Sequence, residues 1–180
     1  MARGLPRRGE RLPGGAHGSA FPFEEPARGH GEGVVVGVGE RGQWSGPDEE
    51  RPLSGDGPAV AKALAAVLAL FRPTRVVTAS PVRCGQTLAP SAAMVGAELE
   101  TDPRFDEGHD PADTAAAVRS LATSAPAVLV CGQGKLLPPT LVALAGRRAD
   151  VYGTAKGAGW VLGFTGTDLV GTAYLEPPVA

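Results

Sequence analysis

Short apolar runs alternate with helix-like segments along most of this chain, and no other feature restricts the fold as strongly. The strand-like runs are Val34–Val38, Arg75–Ala79 and Ala127–Cys131. The third is apolar throughout, as strands are when helices cover both faces of a parallel sheet. This alternation of strands and helices predicts a three-layer α/β domain with a mostly parallel sheet and helices on both faces.

The spacing of apolar residues, together with capping residues at the helix ends, predicts where the helices lie. Residues three and four apart between Val60 and Phe71 form one helix face, and Asp56 stands where a cap belongs. A second helix is expected from about Arg83 to Gly96, bent or interrupted at Pro90. A third begins at Asp110-Pro111 and buries Ala115, Val118, Leu121 and Ala122, and a fourth spans Leu136–Gly146. The chain then ends in a predicted hairpin of Trp160–Phe164 and Leu169–Tyr174.

The first 32 residues have a different composition. They hold seven glycines, four prolines and five arginines, with no helical or strand period. Such a segment buries too little apolar surface to offset its ordering. We therefore expect a disordered leader over residues 1–32 and one domain over residues 33–180.

Charge and cysteine usage exclude several functions. The formal net charge is −2, and no basic cluster of the kind that binds nucleic acid or a membrane surface is present. No run approaches the roughly 20 apolar residues of a membrane span. The two cysteines, Cys84 and Cys131, lack metal-ligand spacing and fit reduced thiols in a cytoplasmic protein. We expect no metal and no cofactor.

The segment Ser80–Thr87 carries the clearest chemical signal. It follows a predicted strand and opens a predicted helix, so Arg83 is expected beside a helix N-terminus. Backbone N–H groups and the helix dipole favour an anion at such a place, and a guanidinium can bind two phosphate oxygens. The expected ligand is therefore a phosphorylated small molecule or a nucleotide.

Five segments, in order, resemble the histidine phosphatase (phosphoglycerate-mutase-like) superfamily, most closely the C-terminal domain of some bacterial Nudix hydrolases. They are Arg51–Ser54, Ser80–Thr87, Pro103–Glu107, Val128–Lys135 and Lys156–Leu162. The resemblance implies that Arg83 binds phosphate and that Glu107 is the residual catalytic acid. It places Gln133 where the family has its second catalytic histidine. We interpret Gln133 and Lys135 as further phosphate-binding residues.

The nucleophile of that family is missing. Its first strand ends in Arg-His-Gly, whereas this strand reads Val34–Gly39 and offers no imidazole. His30 resembles the motif but does not follow an apolar strand, and His109 could at most assist protonation of a leaving group. Cys131 is interpreted as a buried apolar residue, because position 137 lacks the arginine that a cysteine phosphatase loop requires.

These observations leave several functions open. The favoured hypothesis is a degenerate domain that keeps part of a phosphate pocket and binds a phosphoester or nucleotide, or acts as a regulatory domain with a protein partner. The alternative is an active phosphomonoester hydrolase with an unrecognised nucleophile. A third hypothesis is that the first 40 or so residues are mis-specified and that the true sequence carries Arg-His.

Overall fold

The computed structural model of the chain describes residues 30–37, 44–146 and 154–178. Six strands and four helices follow one another along these residues. The strands are β1 His30–Gly37, β2 Arg75–Thr78, β3 Leu99–Thr101, β4 Ala127–Gly132, β5 Gly159–Thr165 and β6 Asp168–Leu175. The helices are α1 Gly57–Leu68, α2 Val82–Val95, α3 Pro111–Ser124 and α4 Leu137–Ala145.

All six strands form one sheet in the order β3-β2-β4-β1-β5-β6. The pairs β2 with β3, β2 with β4 and β1 with β4 are parallel, whereas β5 and β6 are antiparallel to their neighbours. The mostly parallel sheet of an α/β domain is thus confirmed. β3, a three-residue edge strand, was not predicted, because so short a run has no readable period.

The strand order explains the layers. From β1 to β2 and on to β3 the chain moves toward one edge of the sheet, and from β3 to β4 and on to β5 it moves back. Because crossover connections between parallel strands are right-handed, the reversal puts α1 and α2 on one face and α3 on the other, where α4 packs against it. The helices of each pair pack against each other.

Most predicted helix features are present. Ala115, Val118, Leu121 and Ala122 of α3 are all buried, as expected. Asp110 caps α3 by accepting a hydrogen bond from the Ala112 N–H at 2.7 Å. Asp56 stands at the N-cap of α1 but makes no side-chain cap bond. α2 runs through Pro90 without a break.

Two predicted boundaries differ from the structure. β1 begins at His30 rather than Val34, so residues 30–32, assigned to the leader, form the first part of a strand paired with β5 on one side. This stretch, His30-Gly31-Glu32, holds no apolar residue, which hid its strand character. The remaining leader residues, 1–29, lie outside the described part of the chain.

The core lies between the sheet and the helices. All six residues of β4 are buried, and Leu129 is fully inaccessible. The predicted C-terminal hairpin is present, with Thr165 paired to Asp168 and Gly166 at a φ of +60° in the two-residue turn. In the described ranges, no helix is long and apolar enough to cross a membrane. The same ranges contain no group of three or more side chains able to hold a metal ion.

Candidate functional site

The carboxyl ends of β1, β2 and β4 meet at one edge of the sheet. Gly37, the last residue of β1, is paired with Gly132, and Thr78, the last residue of β2, is paired with Cys131. The loops after β1 and β4 lead to helices on opposite faces, and ligands of open α/β sheets bind in the crevice that such a switch creates. The site is therefore expected around Gln133, directly after β4.

Arg83 lies in the first turn of α2, as the sequence predicted, but it is buried. Only 6% of its surface is exposed. Its Nη1 donates to the main-chain oxygen of Asp48 at 2.6 Å, and its Nη2 donates to the Asp48 Oδ2 at 2.8 Å. Thr87 packs on the same turn and donates to the Arg83 carbonyl oxygen. These contacts fix the guanidinium at the end of β2.

Sequence reasoning missed two charged residues beside Arg83. Asp48 lies in a short 3₁₀ turn, and its Oδ1 is 2.7 Å from the Arg51 Nη2. One carboxylate therefore joins two guanidinium groups. The Arg51 Nε is buried and has no hydrogen-bond partner among the described residues. The sequence hinted at this pair only through the three-residue spacing of Asp48 and Arg51. The surrounding loop has no regular repeat of apolar residues that would have predicted its structure.

The segment 102–107 forms hydrogen bonds with the residues that follow β2 and β4. The Asp106 Oδ1 accepts a hydrogen bond from the Ser80 N–H at 2.7 Å, just before α2. On the other side the Gln133 N–H donates to the Phe105 carbonyl at 3.3 Å. This segment thus holds the start of α2 and the end of β4 together, with Glu107 at its end.

Gln133, Glu107 and Lys135 contact one another. The Gln133 Oε1 accepts a hydrogen bond from the Glu107 N–H at 2.5 Å, and the Lys135 Nζ is 3.2 Å from the Glu107 Oε2. Gln133 is buried, whereas Lys135 is mostly exposed. This bond orients the Gln133 side chain, whose amide nitrogen is a donor of the kind that can bind an anion. Arg83 pairs with Asp48 instead, and within the described residues no hydrogen bond or ion pair joins it to these three side chains.

A cavity of about 230 Å³ lies beside this cluster. Its polar lining comes from Glu107, His109 and Lys135. Its apolar lining includes Pro111, Leu136 and Pro139. At about 30 Å³ per water, this is room for roughly seven or eight water molecules, or one ring system.

The alternative nucleophiles are poorly placed. His30 begins β1, seven residues before the strand end at the site, which is roughly 23 Å at 3.3 Å per residue. Cys131 is fully buried, and its hydrogen bond with Cys84, together with burial, raises the pKa of its thiol well above the ordinary value. A thiol that resists ionisation is a weak nucleophile. Residues 38–43, which follow β1, lie outside the described part of the chain.

The sequence of this chain is similar to those of known phosphatases. The sequence model of the histidine phosphatase superfamily (branch 1) matches residues 30–124. An 8-oxo-(d)GTP phosphatase of Mycolicibacterium smegmatis is 36% identical over 147 residues, 78% of this chain and 46% of that protein. The chain thus spans about half the length of this relative.

Two solved structures show the same fold. The protein histidine phosphatase SixA complexed with tungstate has a TM-score of 0.71 at 18% identity, over 81% of this chain and 97% of that one. A mycobacterial glucosyl-3-phosphoglycerate phosphatase with VO3 has a TM-score of 0.59 at 17% identity, over 73% and 92% of the two chains. With just over half of its residues matched by the superfamily model, the chain belongs to the histidine phosphatase superfamily.

Proposed function

We propose that this chain is a degenerate histidine phosphatase domain that binds a phosphoester or a nucleotide without forming a phosphohistidine. Two observations carry the proposal together: the guanidinium of Arg83 is buried and fixed at the end of β2, and β1, two strands away in the sheet, ends without histidine. Only imidazole combines nucleophilicity with a pKa near neutrality. Phosphate binding can therefore persist where the covalent step is lost.

Each predicted site residue has a part in this proposal. Arg83 binds phosphate at the N-terminus of α2, where the helix dipole adds to the attraction. Gln133 donates its amide N–H to a phosphate oxygen, and Lys135 adds positive charge at the rim. Glu107 is the residual acid, and its ion pair with Lys135 holds it at the mouth of the cavity.

The comparisons support a phosphorylated small molecule as the ligand. The 36% identical relative is named for hydrolysis of 8-oxo-(d)GTP, which favours a nucleotide. Two structures of the same fold were obtained with tungstate and VO3, which are phosphate-like anions. The cavity beside Glu107 has room for one ring of a ligand whose phosphate lies nearer to the helix.

An active phosphomonoester hydrolase is the second candidate. His109 and Glu107 line the same cavity, so an imidazole and a carboxylate are both near the proposed leaving group. This candidate requires a nucleophile other than a residue of β1. It predicts turnover of a simple aryl phosphate, which the first candidate does not.

Thermal melts with inorganic phosphate and with dGTP, at constant ionic strength, test the binding proposal. At roughly 100 times the dissociation constant, ligand should stabilise the fold by about 2.7 kcal/mol. Arg83→Ala should abolish this shift. Because Arg83 is buried, that variant is also expected to be less stable without ligand, so each shift is measured against the ligand-free melt of the same protein.

Arg75→Ala is the matched control. Arg75 also pairs with a carboxylate, that of Glu100, but it stands at the opposite end of β2. It should retain the full ligand-induced shift. Equal shifts in all three proteins, or no shift in any, would contradict the proposed site at Arg83.

Incubation with an aryl phosphate separates the two candidates. We expect no turnover above the Arg83→Ala background. An acid-labile, base-stable phosphoenzyme located on His109 would instead establish the active hydrolase, and His109→Asn should then remove it.

A further inference from the structure

The carboxylate of Asp48 occupies the hydrogen-bonding groups with which an arginine binds phosphate. Its two oxygens lie 2.8 Å from the Arg83 Nη2 and 2.7 Å from the Arg51 Nη2. Carboxylate and phosphate present similar pairs of oxygens to a guanidinium, and both form short charge-assisted bonds. An anion arriving at Arg83 therefore meets donors that an internal anion already holds.

The three side chains differ in exposure, which decides which of them can leave. The side chains of Arg83 and Arg51 are 7% and 17% exposed, whereas that of Asp48 is 62% exposed. The cations are held by the fold, and the carboxylate faces water. Exchange of this carboxylate for a dissolved anion needs only a rotation of one exposed side chain.

Two further features favour the exchange of the carboxylate for a dissolved anion. The Arg83 Nη1 donates to the main-chain oxygen of Asp48 at 2.6 Å, which side-chain rotation does not disturb. The buried Arg51 Nε lacks an acceptor among the described residues. A buried donor without a partner is costly, and an incoming oxyanion can supply the missing acceptor.

We propose that Asp48 is an internal competitor that occupies the anion site formed by Arg51 and Arg83 and lowers its affinity for phosphate. This inference rests on the proposed phosphate-binding function and adds a self-inhibiting contact to it. With the carboxylate in place, the two guanidinium groups carry a local net charge of +1. Without it they carry +2, and a phosphate dianion is attracted more strongly.

Calorimetric titration of the full chain with inorganic phosphate, and separately with tungstate, at constant ionic strength tests the competition. Asp48→Asn removes the charge with little change in shape. We expect its dissociation constant to fall at least about fivefold relative to the wild type, a size common for coupling between competing ligands. Asp48→Ala should bind at least as tightly, since it also removes the hydrogen bonds of an amide.

Glu49→Gln is the matched control, because Glu49 is exposed in the same 3₁₀ turn and is neither hydrogen-bonded nor ion-paired to either arginine. Its dissociation constant should stay within about twofold of the wild-type value, since an exposed, unpaired charge acts weakly through water. Asp48→Asn combined with Arg83→Ala should lose binding, which ties the gain to this site.

The outcomes separate this inference from the function on which it rests. Arg83-dependent binding that is unchanged or weaker in both Asp48 variants would overturn the competition alone and make Asp48 a residue that positions the arginines. An equal gain in Glu49→Gln would overturn it in favour of general charge. No binding by the wild type or by either Asp48 variant would overturn the competition and the proposed function together.

Discussion

Gln133 and Lys135 lie two residues apart at the end of β4, but their side chains differ sharply in exposure. Gln133 is 6% exposed and accepts a hydrogen bond from the Glu107 N–H, whereas 75% of the Lys135 side chain is exposed. Gln133→Met keeps the length of the side chain but removes the acceptor. It should lower the free energy of unfolding by about 1 kcal/mol, the usual value of one such bond.

Lys135→Met is the control, because it breaks only an exposed ion pair. Its free energy of unfolding should stay within about 0.5 kcal/mol of the wild-type value. Urea denaturation of the three proteins measures both changes. Equal losses in the two variants would show that the bond between Gln133 and Glu107 does not contribute as the structure indicates.

The sequence revealed where Arg83 stands but not what it contacts. A strand followed by a helix start is a local pattern, so the position of Arg83 in the first turn of α2 could be read directly. Its partner Asp48 is 35 residues earlier, in a loop without a period, and only the folded chain brings the two together. For the same reason the pairing of Glu107 with Lys135 was not foreseen.

At the scale of single elements, the short strand β3 depends on an ion pair for part of its attachment. Arg75 of β2 donates from Nε to the Glu100 Oε1 at 2.9 Å, and this hydrogen bond lowers the pKa of Glu100 from its ordinary 4.5. The folded chain then binds this proton less tightly than the unfolded chain. The resulting stability is complete above the unfolded-state pKa and is lost as pH falls through the folded-state pKa.

Glu100→Gln should therefore be less stable than the wild type at neutral pH, and the difference should shrink as pH falls below about 4.5. Urea unfolding at neutral pH and at pH values below this point measures the change. Glu98→Gln serves as the control, since Glu98 is exposed and forms no ion pair within the described residues. A difference that stays constant with pH would contradict the role of the Arg75 pair.

The two helix caps allow a second test at this scale. Asp110→Ala removes a side-chain acceptor from the N-terminus of α3 and should cost about 1 kcal/mol of stability. Asp56→Ala changes the same residue type at the N-cap of α1, where no cap bond forms, and should cost much less. Thermal denaturation of both variants checks the order, and the reverse order would contradict the assigned cap geometry.

Helices and strands whose apolar residues repeat regularly were predicted well, and those without such a repeat were not. The buried strand β4 and the buried face of α3 follow from apolar runs and three- and four-residue spacing. β3 and the start of β1 depend on pairing with distant strands instead. Their glycines and charged residues carry no local signal, so sequence alone placed β1 four residues too late.

At the scale of the whole molecule, the central position of β1 determines how many N-terminal residues can be removed without unfolding the domain. β1 lies between β4 and β5, and its loss would leave two facing strands without partners. A chain that begins at residue 29 should melt within a few degrees of the full chain, as expected of a removable leader. A chain that begins at residue 39 should not fold cooperatively.

Circular dichroism melts of the two truncated chains make this comparison. A destabilised first chain would show that residues 1–28 contribute to the fold. A cooperative second chain would show that the sheet closes without β1. The first result would contradict the prediction of a removable leader, and the second would contradict the central role of β1.

The placement of β1 also has a consequence for how the protein is synthesised. β1 precedes the other described strands along the chain, and its partner β5 follows roughly 130 residues later. The strands β2 and β3, joined through α2, can pair early, because their contacts are local. The centre of the sheet closes only after β4 and β5 have been synthesised, and such distant pairing slows folding. Until then β1 exposes an unpaired edge, which makes the nascent chain a natural client for chaperones.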